Sequence, residues 1–338
     1  MDQTGRSLLR LTGLALFVSL VIAFTAFLMI KLGAAPALVL LAGPNPSADD
    51  QLLLATEYGL TEPAAVQFVR FVIRILSLDF GKSWLTGEIV LDELLARLPA
   101  TIELMLYGLG LGLLLGVPAG IAAAFARNRA EDRTVRLAGL LGEAIPAFLL
   151  ALLLLLVFFR WLDIAPSPTG RISVVLTPPP PVTGSYFIDA VLIQDSFAAR
   201  SALAQLILPV VTLGLLIAAS LALQVRAAML AQIETPHFAY ARAQGMSSDM
   251  LTGIALRGAA PVIGGSLSHQ IAALLGTTAV VEHVFAWGGI GQYGLDAMAK
   301  ADFAVVQGFI VLSAVFAMLI HLVHRLVGMA SRLRIRLS

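Results

Sequence analysis

Residues 238–261 read FAYARAQGMSSDMLTGIALRGAAP, a polar interruption between two long apolar runs. Ala239, Ala241 and Ala243 leave a helix room to approach a neighbour closely, and Gly245 suits a helix end. Met246-Ser247-Ser248-Asp249 suits the start of a second helix, because a serine hydroxyl can accept from the first free amides. The stretch therefore predicts a helix, a glycine turn and a short amphipathic helix lying on a membrane surface. The plain alternative is an ordinary loop between two spans with a glycine cap.

Composition supplies the solvent. Of 338 residues 59% are hydrophobic and only 13% charged, whereas soluble domains run near 45–50% apolar and 25% charged. Such a chain needs lipid on its outside, and in lipid backbone groups must be satisfied within helices or closed barrels. The formal net charge of +1 decides nothing about partners. With no cysteine, disulfides, thiolate metal sites and cysteine nucleophiles are excluded.

Working outward, the apolar runs place six spans. Residues 11–30 carry no charge and are preceded by Arg6 and Arg10. An apolar core of about 20 residues exceeds the 7–15 of a signal peptide and is long enough to cross a bilayer. This N-terminal helix covers about residues 9–31. Residues 32–98 are mixed and form an extracytoplasmic segment, with a turn at Gly43-Pro44-Asn45-Pro46, a helix start at Ser47-Ala48-Asp49-Asp50, and a second helix from Pro63 with Val66, Val69, Ile73 and Leu76 at helical spacing. Gly81-Lys82-Ser83 is not a phosphate loop, because Leu76 stands where that pattern needs glycine.

A core bundle then occupies residues 99–328, with spans at 101–126, 137–162, 203–226, 259–284 and 303–327 and a tail at 329–338. Pro118 and Pro146 lie within spans and should kink them. Gly108, Gly110, Gly112, Gly116 and Gly120 form a small-residue stripe suited to close helix contact. Thr177 and the four prolines after it make a stiff connector. Drawn this way, most arginines fall on one side, among them Arg127, Arg129, Arg133, Arg136, Arg242 and Arg257. Asp49, Asp50, Glu57, Glu62, Asp79, Asp92 and Glu93 fall on the other. Positive charge stays inside, so both termini and the loop at 231–257 are expected in the cytoplasm.

Several wordings carry a family resemblance. They are G-P-N near residue 43, G-L-x-x-P-x-x-V-Q-F from Gly59, D-F-G-K-S from Asp79, R-L-P-A-T-I-E-L from Arg97, A-R-A-x-G in the polar loop, and the window VEHVFAWGGIGQYGLDAMAKADFAVVQG at 281–308. Together they resemble the permeases of ABC importers, specifically the dipeptide, oligopeptide and nickel group, over most of residues 33–310. One departure is Ala34-Ala35-Pro36 where the family commonly has Gly-Asp-Pro. In the general form E-A-A-x-x-x-G of that family's loop, Ala239 takes the Glu place, Tyr240 and Ala241 the two alanines, and Gly245 the glycine. The form continues with Ile, Leu and Pro at places held here by Ala255, Arg257 and Gly258, while Pro261 comes later, so the second half of the element is shifted in register.

The resemblance implies an all-α, six-span permease of the type I importer fold in a bacterial inner membrane. It implies a second, related permease subunit, two cytoplasmic ATPase subunits that carry ATP and magnesium, and an extracytoplasmic solute-binding protein. It also implies that Ala239, Tyr240, Ala241, Gly245, Ser247 and Asp249 belong to a coupling loop that docks on an ATPase. The chain itself would hydrolyse nothing, hold no metal or cofactor, and bind no nucleic acid. The solute, whether a peptide, a nickel complex, an opine or a sugar derivative, stays open.

Polar groups in or near spans are functional candidates because burying them is costly. Glu103 and Glu282 are candidates for the solute path or its outer gate, with helix-end solvation as the plain alternative, and Glu143 for the cytoplasmic mouth. Trp287, Gly289 and Gly291 belong to a glycine-rich turn that would cap or gate the outer end, or simply anchor Trp287 at the interface. His321 and His324 sit three apart near a helix end without a carboxylate or thiolate close by, so a metal site is the weaker reading. An ion-driven secondary transporter should show internal repeats and midplane charges, and an intramembrane enzyme a compact catalytic grouping. Neither is evident.

Overall fold

The computed structural model describes residues 61–337, together with Val21, Phe24, Thr25, Phe27, Leu28, Ser47 and Thr56; side chains are described as far as residue 320 and again at 322 and 323. The expected first span, apart from the few residues just named, and the expected helix start at Ser47-Ala48-Asp49-Asp50, apart from Ser47, lie outside them. Among the described residues the chain is helical, with one isolated bridge between Lys82 and Ile89. Among the described residues four helices are long and apolar enough to cross a membrane, or five if one bent pair counts as a single span.

The helices are α1 (Ala64–Leu76), α2 (Val90–Phe125), α3 (Ala130–Ala144), α4 (Ala147–Leu154, continued by π-helical turns Leu155–Trp161) and α5 (Tyr186–Leu192). Then come α6 (Ser196–Ile233), α7 (Pro236–Ala243), α8 (Ser248–Val284), α9 (Ile290–Ala299) and α10 (Phe303–Leu337). They divide into two compact units, one of Met1–Leu98 with Ile290–Met318 and one of Pro99–Gly289 with Leu319–Ser338.

In the first unit α1 follows Pro63, whose fixed φ suits a helix start. Its buried side is Phe71, packed with Phe27 and Phe68. The row predicted from spacing is the other one: Val66, Val69, Ile73 and Leu76 are all exposed. Two apolar faces on one short helix suit an element with protein on one side and lipid on the other. Val90 and Leu94 are fully buried, and Gly308 lets both lie against α10. Ser83 donates to Asp302 at 2.5 Å, while Tyr293 donates to Glu93 and lies under the Arg97 guanidinium at 4.2 Å.

The second unit is organised by α2 against α6. A Cβ on Gly108 would stand 2.7 Å from Leu213 Cβ, one on Gly116 2.9 Å from Ala218 O, and one on Gly120 2.6 Å from Ala222 O. Gly112 faces Ile217 more closely still. Positions four apart share a helix face, so these four form one seam. Gly110 does not belong to the stripe predicted from sequence, for it is exposed and faces open space. Gly139 and Gly142 similarly seat α3 on Leu223 and Ala219 of α6.

Three predicted elements need correction. The span expected at 137–162 is broken, with α3 and the α4 segment meeting at 104°. Ile145 precedes a proline and is driven to extended φ,ψ of −82° and 120°, and Pro146 then caps α4. The expected short surface helix after Gly245 does not exist separately. It is the first part of α8, which runs unbroken through Pro261 to Val284, because Ala255 and Ala259 are pinned in the core on the near side of the proline. In the same way α10 continues through the residues expected as a tail.

Candidate functional site

The polar loop is a rooted projection. Thr235 accepts from the Phe238 amide at 3.3 Å and Pro236 occupies the first turn of α7, where its missing N–H costs nothing. Phe238 and Ala241 are 3% and 2% exposed, and Phe238 packs with Ala124, Leu221, Val225, Met229, Ala255 and Ala259 from three neighbouring helices. Gly245 turns the chain at φ +73°, a conformation that only glycine adopts without strain, and a Cβ there would touch nothing. Ser247 then caps α8 by accepting from Met250 N at 3.4 Å.

The other side of this projection is bare. Ala239, Tyr240, Arg242, Ala243, Gln244, Met246, Ser247, Ser248, Asp249 and Met250 form a continuous exposed run broken only by buried Ala241. Tyr240, Met246 and Met250 contribute apolar surface to it, with the Tyr240 hydroxyl accepting from Gln244 at 2.7 Å. Of the loop residues singled out in the sequence, Ala239, Tyr240, Gly245, Ser247 and Asp249 thus share the exposed side, and Ala241 is an anchor.

Two further ties hold the neighbourhood of this projection, and no local pattern of residues signals either. Asp132, fully buried at the start of α3, accepts from Arg226 through both carboxylate oxygens, the Nη2 bond being 2.9 Å, and from Asn128 N at 2.9 Å. Arg127 pairs with Glu234 at the end of α6. The corner between α2 and α3 is thereby clamped to the segment that leads into α7.

A second cluster lies against the N-terminal half of α2. Glu103 is not at a helix end but well inside α2, with its carboxylate buried. Arg171, from the connector after α4, donates to Glu103 at 2.7 Å and to Gly184 O at 2.5 Å, and Ser185 donates to the other Glu103 oxygen. The guanidinium lies 3.9 Å from the centre of the Tyr186 ring and 6.0 Å from that of Trp287, geometry that favours a cation over a π face. Trp287 is buried and donates its indole N–H to Ala100 O at 3.0 Å, so it is anchored in protein and not at a lipid interface. Arg171 is what joins Glu103 to Trp287, and Ser185 holds the other Glu103 oxygen; their wording in a mixed connector carried no signal.

Around Trp287 the chain turns as the glycines foretold. Gly288 has φ +78°, and Gly289 presses against the Glu282 carboxylate so closely that any side chain would displace it. Glu282 is fully buried near the end of α8, and its backbone oxygen accepts from Trp287 N at 2.8 Å. Gly291 is buried in α9. Glu143 is exposed just before the 104° bend and is not brought to either cluster. His321 and His324 lie where side chains are not described.

The same connector is fixed by Asp189. Its buried carboxylate accepts from the amides of Val182, Thr183 and Gly184 at 3.2, 2.7 and 3.0 Å, and from the Thr183 hydroxyl at 2.7 Å. Burial opposes its charge, but the Thr183 hydroxyl and these amides outweigh that and hold the carboxyl below its ordinary range.

Comparison with known proteins matches residues 116–335 to the family of binding-protein-dependent transport system inner membrane components. The "Probable D,D-dipeptide transport system permease protein DdpB" of Escherichia coli K12 is 36% identical over 93% of this chain and 92% of its own length. The di/tripeptide transport system permease protein DppB of Pseudomonas aeruginosa is 32% identical over 78% of this chain and 79% of its own. The glutathione transport system permease protein GsiC of Salmonella paratyphi A is 30% identical over 90% of each. A long-helix bundle in a composition that requires lipid, and a family match that covers both the exposed loop and the buried turn, lead to one conclusion: the chain is a multi-pass membrane protein of the binding-protein-dependent transport system inner membrane component family.

Proposed function

We propose that this chain is one permease subunit of an ATP-driven ABC importer of the type I fold. It moves peptides or a similar small solute from an extracytoplasmic binding protein into the cytoplasm by alternating access. The observation that carries the reading is the shape of the loop at 231–257. A lever needs one side fixed in the moving body and one side free for its driver, and Phe238 with Ala241 supplies the first while Tyr240, Met246, Asp249 and Met250 supply the second. Burial of Tyr and Met at a partner surface is what such contacts favour. The relatives named as peptide and glutathione permeases support the solute class.

In this reading the chain has six spans. These are the apolar run at 11–30, the bent pair of α3 with α4, and the four long helices. Both termini and α7 are cytoplasmic, following the arginine bias. Two ATPase subunits bind ATP and magnesium, and a second, homologous permease subunit completes the channel. This chain is not the enzyme of the assembly and holds no cofactor of its own.

The test is isolation of the tagged chain from native membranes and reconstitution of what accompanies it. The expected result is an ATPase subunit in the complex whose hydrolysis rises when solute-loaded binding protein is added. Uptake by this chain alone, driven by an ion gradient and indifferent to ATP, would assign it instead to secondary transport.

A further inference from the structure

Helix α3 meets α6 along one narrow stripe. Asp132 and Gly139 are buried, Val135 and Gly142 half-buried, and every other residue of α3 is exposed. Spacings of three and four put these four residues on one side of the helix. The contact also fixes depth. Between Arg200 and Arg226 α6 carries no Asp, Glu, Lys or Arg, so Arg226 marks the end of the stretch suited to hydrocarbon. Asp132 bonds Arg226, whereas Gly139 and Gly142 face Leu223 and Ala219, about one and two turns further in.

The uncovered side of α3 is divided at the same depth. Arg129 immediately precedes the helix, and Arg133 and Arg136 stand in its first two turns, all three exposed. Leu137, Leu140 and Leu141 follow and are 61%, 56% and 62% exposed. Arg133, Arg136, Leu137 and Leu140 fall within about a third of the helix circumference, so the cations stand directly above the leucines. Among the described residues none of the three arginines forms an ion pair, although Arg136 lies within the field of the Asp132 carboxylate. Two acids of this corner are already taken, Asp132 by Arg226 and Glu234 by Arg127. Cations at a helix N-terminus also oppose its dipole, which an anion bound there would relieve.

We propose that Arg129, Arg133 and Arg136, with the leucines below them, form a site for a phospholipid of net negative charge in the cytoplasmic leaflet. The choice of leaflet rests on the orientation given by the importer reading; the chemistry of the site does not. The leucines lie level with the apolar part of α6 and take the acyl chains, while the arginines reach the phosphate and the extra charge of the headgroup. A protein partner on this side would have to bury three guanidinium groups and pair each of them, whereas a headgroup neutralises them and leaves them hydrated.

The absence of native cysteine makes a local test direct. Leu140→Cys is labelled with bimane in the isolated complex, with Leu106→Cys, exposed on α2, as the reference. Each is reconstituted into vesicles of equal parts phosphatidylglycerol and phosphatidylcholine, with bromine on the acyl chains of one lipid or of the other. Quenching at position 140 should show phosphatidylglycerol favoured by about fivefold or more, the worth of even one arginine near the surface. Position 106 should show parity. Each of Arg129→Gln, Arg133→Gln and Arg136→Gln should lower the preference, and the triple variant should abolish it.

Equal quenching by the two lipids at position 140, with all arginines in place, means an uncharged lipid contact and overturns the proposal without recourse to any arginine variant. Quenching by neither lipid means that an ATPase subunit or the second permease covers this side, which crosslinking from position 140 would identify, and also overturns it. A preference that survives the triple variant overturns the assignment to these arginines. Failure of the importer reading shows separately: a complex without an ATPase subunit, or labelling of Arg129→Cys by an impermeant thiol reagent from outside, would leave the lipid preference as it is.

Discussion

Arg171 Nη2 and Glu103 Oε2 stand 2.7 Å apart across 68 residues of chain, with side chains only 11% and 4% exposed. The pair ties a connector without regular structure to the interior of a spanning helix. A buried pair is weak evidence of net stability, because desolvation offsets most of its attraction, yet losing one partner strands the other charge. Arg171→Met or Glu103→Leu alone should therefore destabilise the purified protein by about 3–5 kcal/mol. The double variant should recover much of that loss. Thermal unfolding in detergent reads the order, and a double variant as unstable as the sum of the singles would show that the two side chains act independently.

The seam between α2 and α6 predicts a contrast within one helix. Gly112 faces Ile217 at less than van der Waals distance for an added Cβ, while Gly110 faces open space. Valine shifts helix propensity equally at both sites, in its favour relative to glycine, but overpacking costs about 1–3 kcal/mol only at the first. Gly112→Val should lower membrane abundance and the thermal midpoint, and Gly110→Val should leave both near wild type. Equal effects at the two positions would mean that the seam is not where the helices meet.

These two cases also mark how far the sequence could be read. Apolar run lengths and the exclusion of charge were enough for an all-helical membrane protein, and the glycine turn at Gly245 was legible because a positive φ restricts residue choice to a short set. The glycine stripe was legible as a stripe but not in register, since Gly110 and Gly112 look alike until a partner helix chooses a side. The break at Ile145-Pro146 was read as a kink because proline in a spanning run is compatible with either outcome. Arg171, Asp132 and Asp189 were not legible at all. Each acquires its role from a partner distant in sequence or from backbone amides, and no local pattern encodes those.

Asp189 gives a pH dependence of known sign. Its carboxyl is held below the ordinary value, so the folded connector is favoured above the unfolded carboxyl's pKa, near 3.9. That contribution is lost as pH falls through the lower, folded value. Hydrogen exchange corrected for intrinsic rates should show the Val182, Thr183 and Gly184 amides protected at neutral pH and released in acid. Asp189→Asn should weaken this protection at neutral pH, by about 1–3 kcal/mol for an imperfectly satisfied buried group. The difference between the two proteins should vanish below the folded pKa. A difference that persists unchanged into strong acid would assign the protection to helix α5 and not to the carboxylate.

Coupling is tested at Gly245. Its φ of +73° lies where a side chain clashes with its own backbone, and its surroundings are empty, so substitution strains the turn without disturbing any packing. A left-handed non-glycine residue costs about 1–2 kcal/mol, too little to unfold a bundle rooted by Phe238, Ala255 and Ala259. Relief of that strain would extend α7 or turn the chain elsewhere, and either moves Met246, Asp249 and Met250 relative to Tyr240. Gly245→Val should therefore reach the membrane at near-normal abundance, associate weakly with the ATPase, and lose the rise in hydrolysis caused by loaded binding protein. Gly245→Ala should fall between the two, because alanine tolerates positive φ better than a β-branched residue does. Asp249→Lys, which leaves the turn intact, should weaken association only if the ATPase surface opposite is basic. The reconstituted assembly distinguishes these outcomes: full stimulation with Gly245→Val would reduce this loop to a connector, whereas loss of stimulation at unchanged abundance places force transmission in the turn that separates α7 from α8.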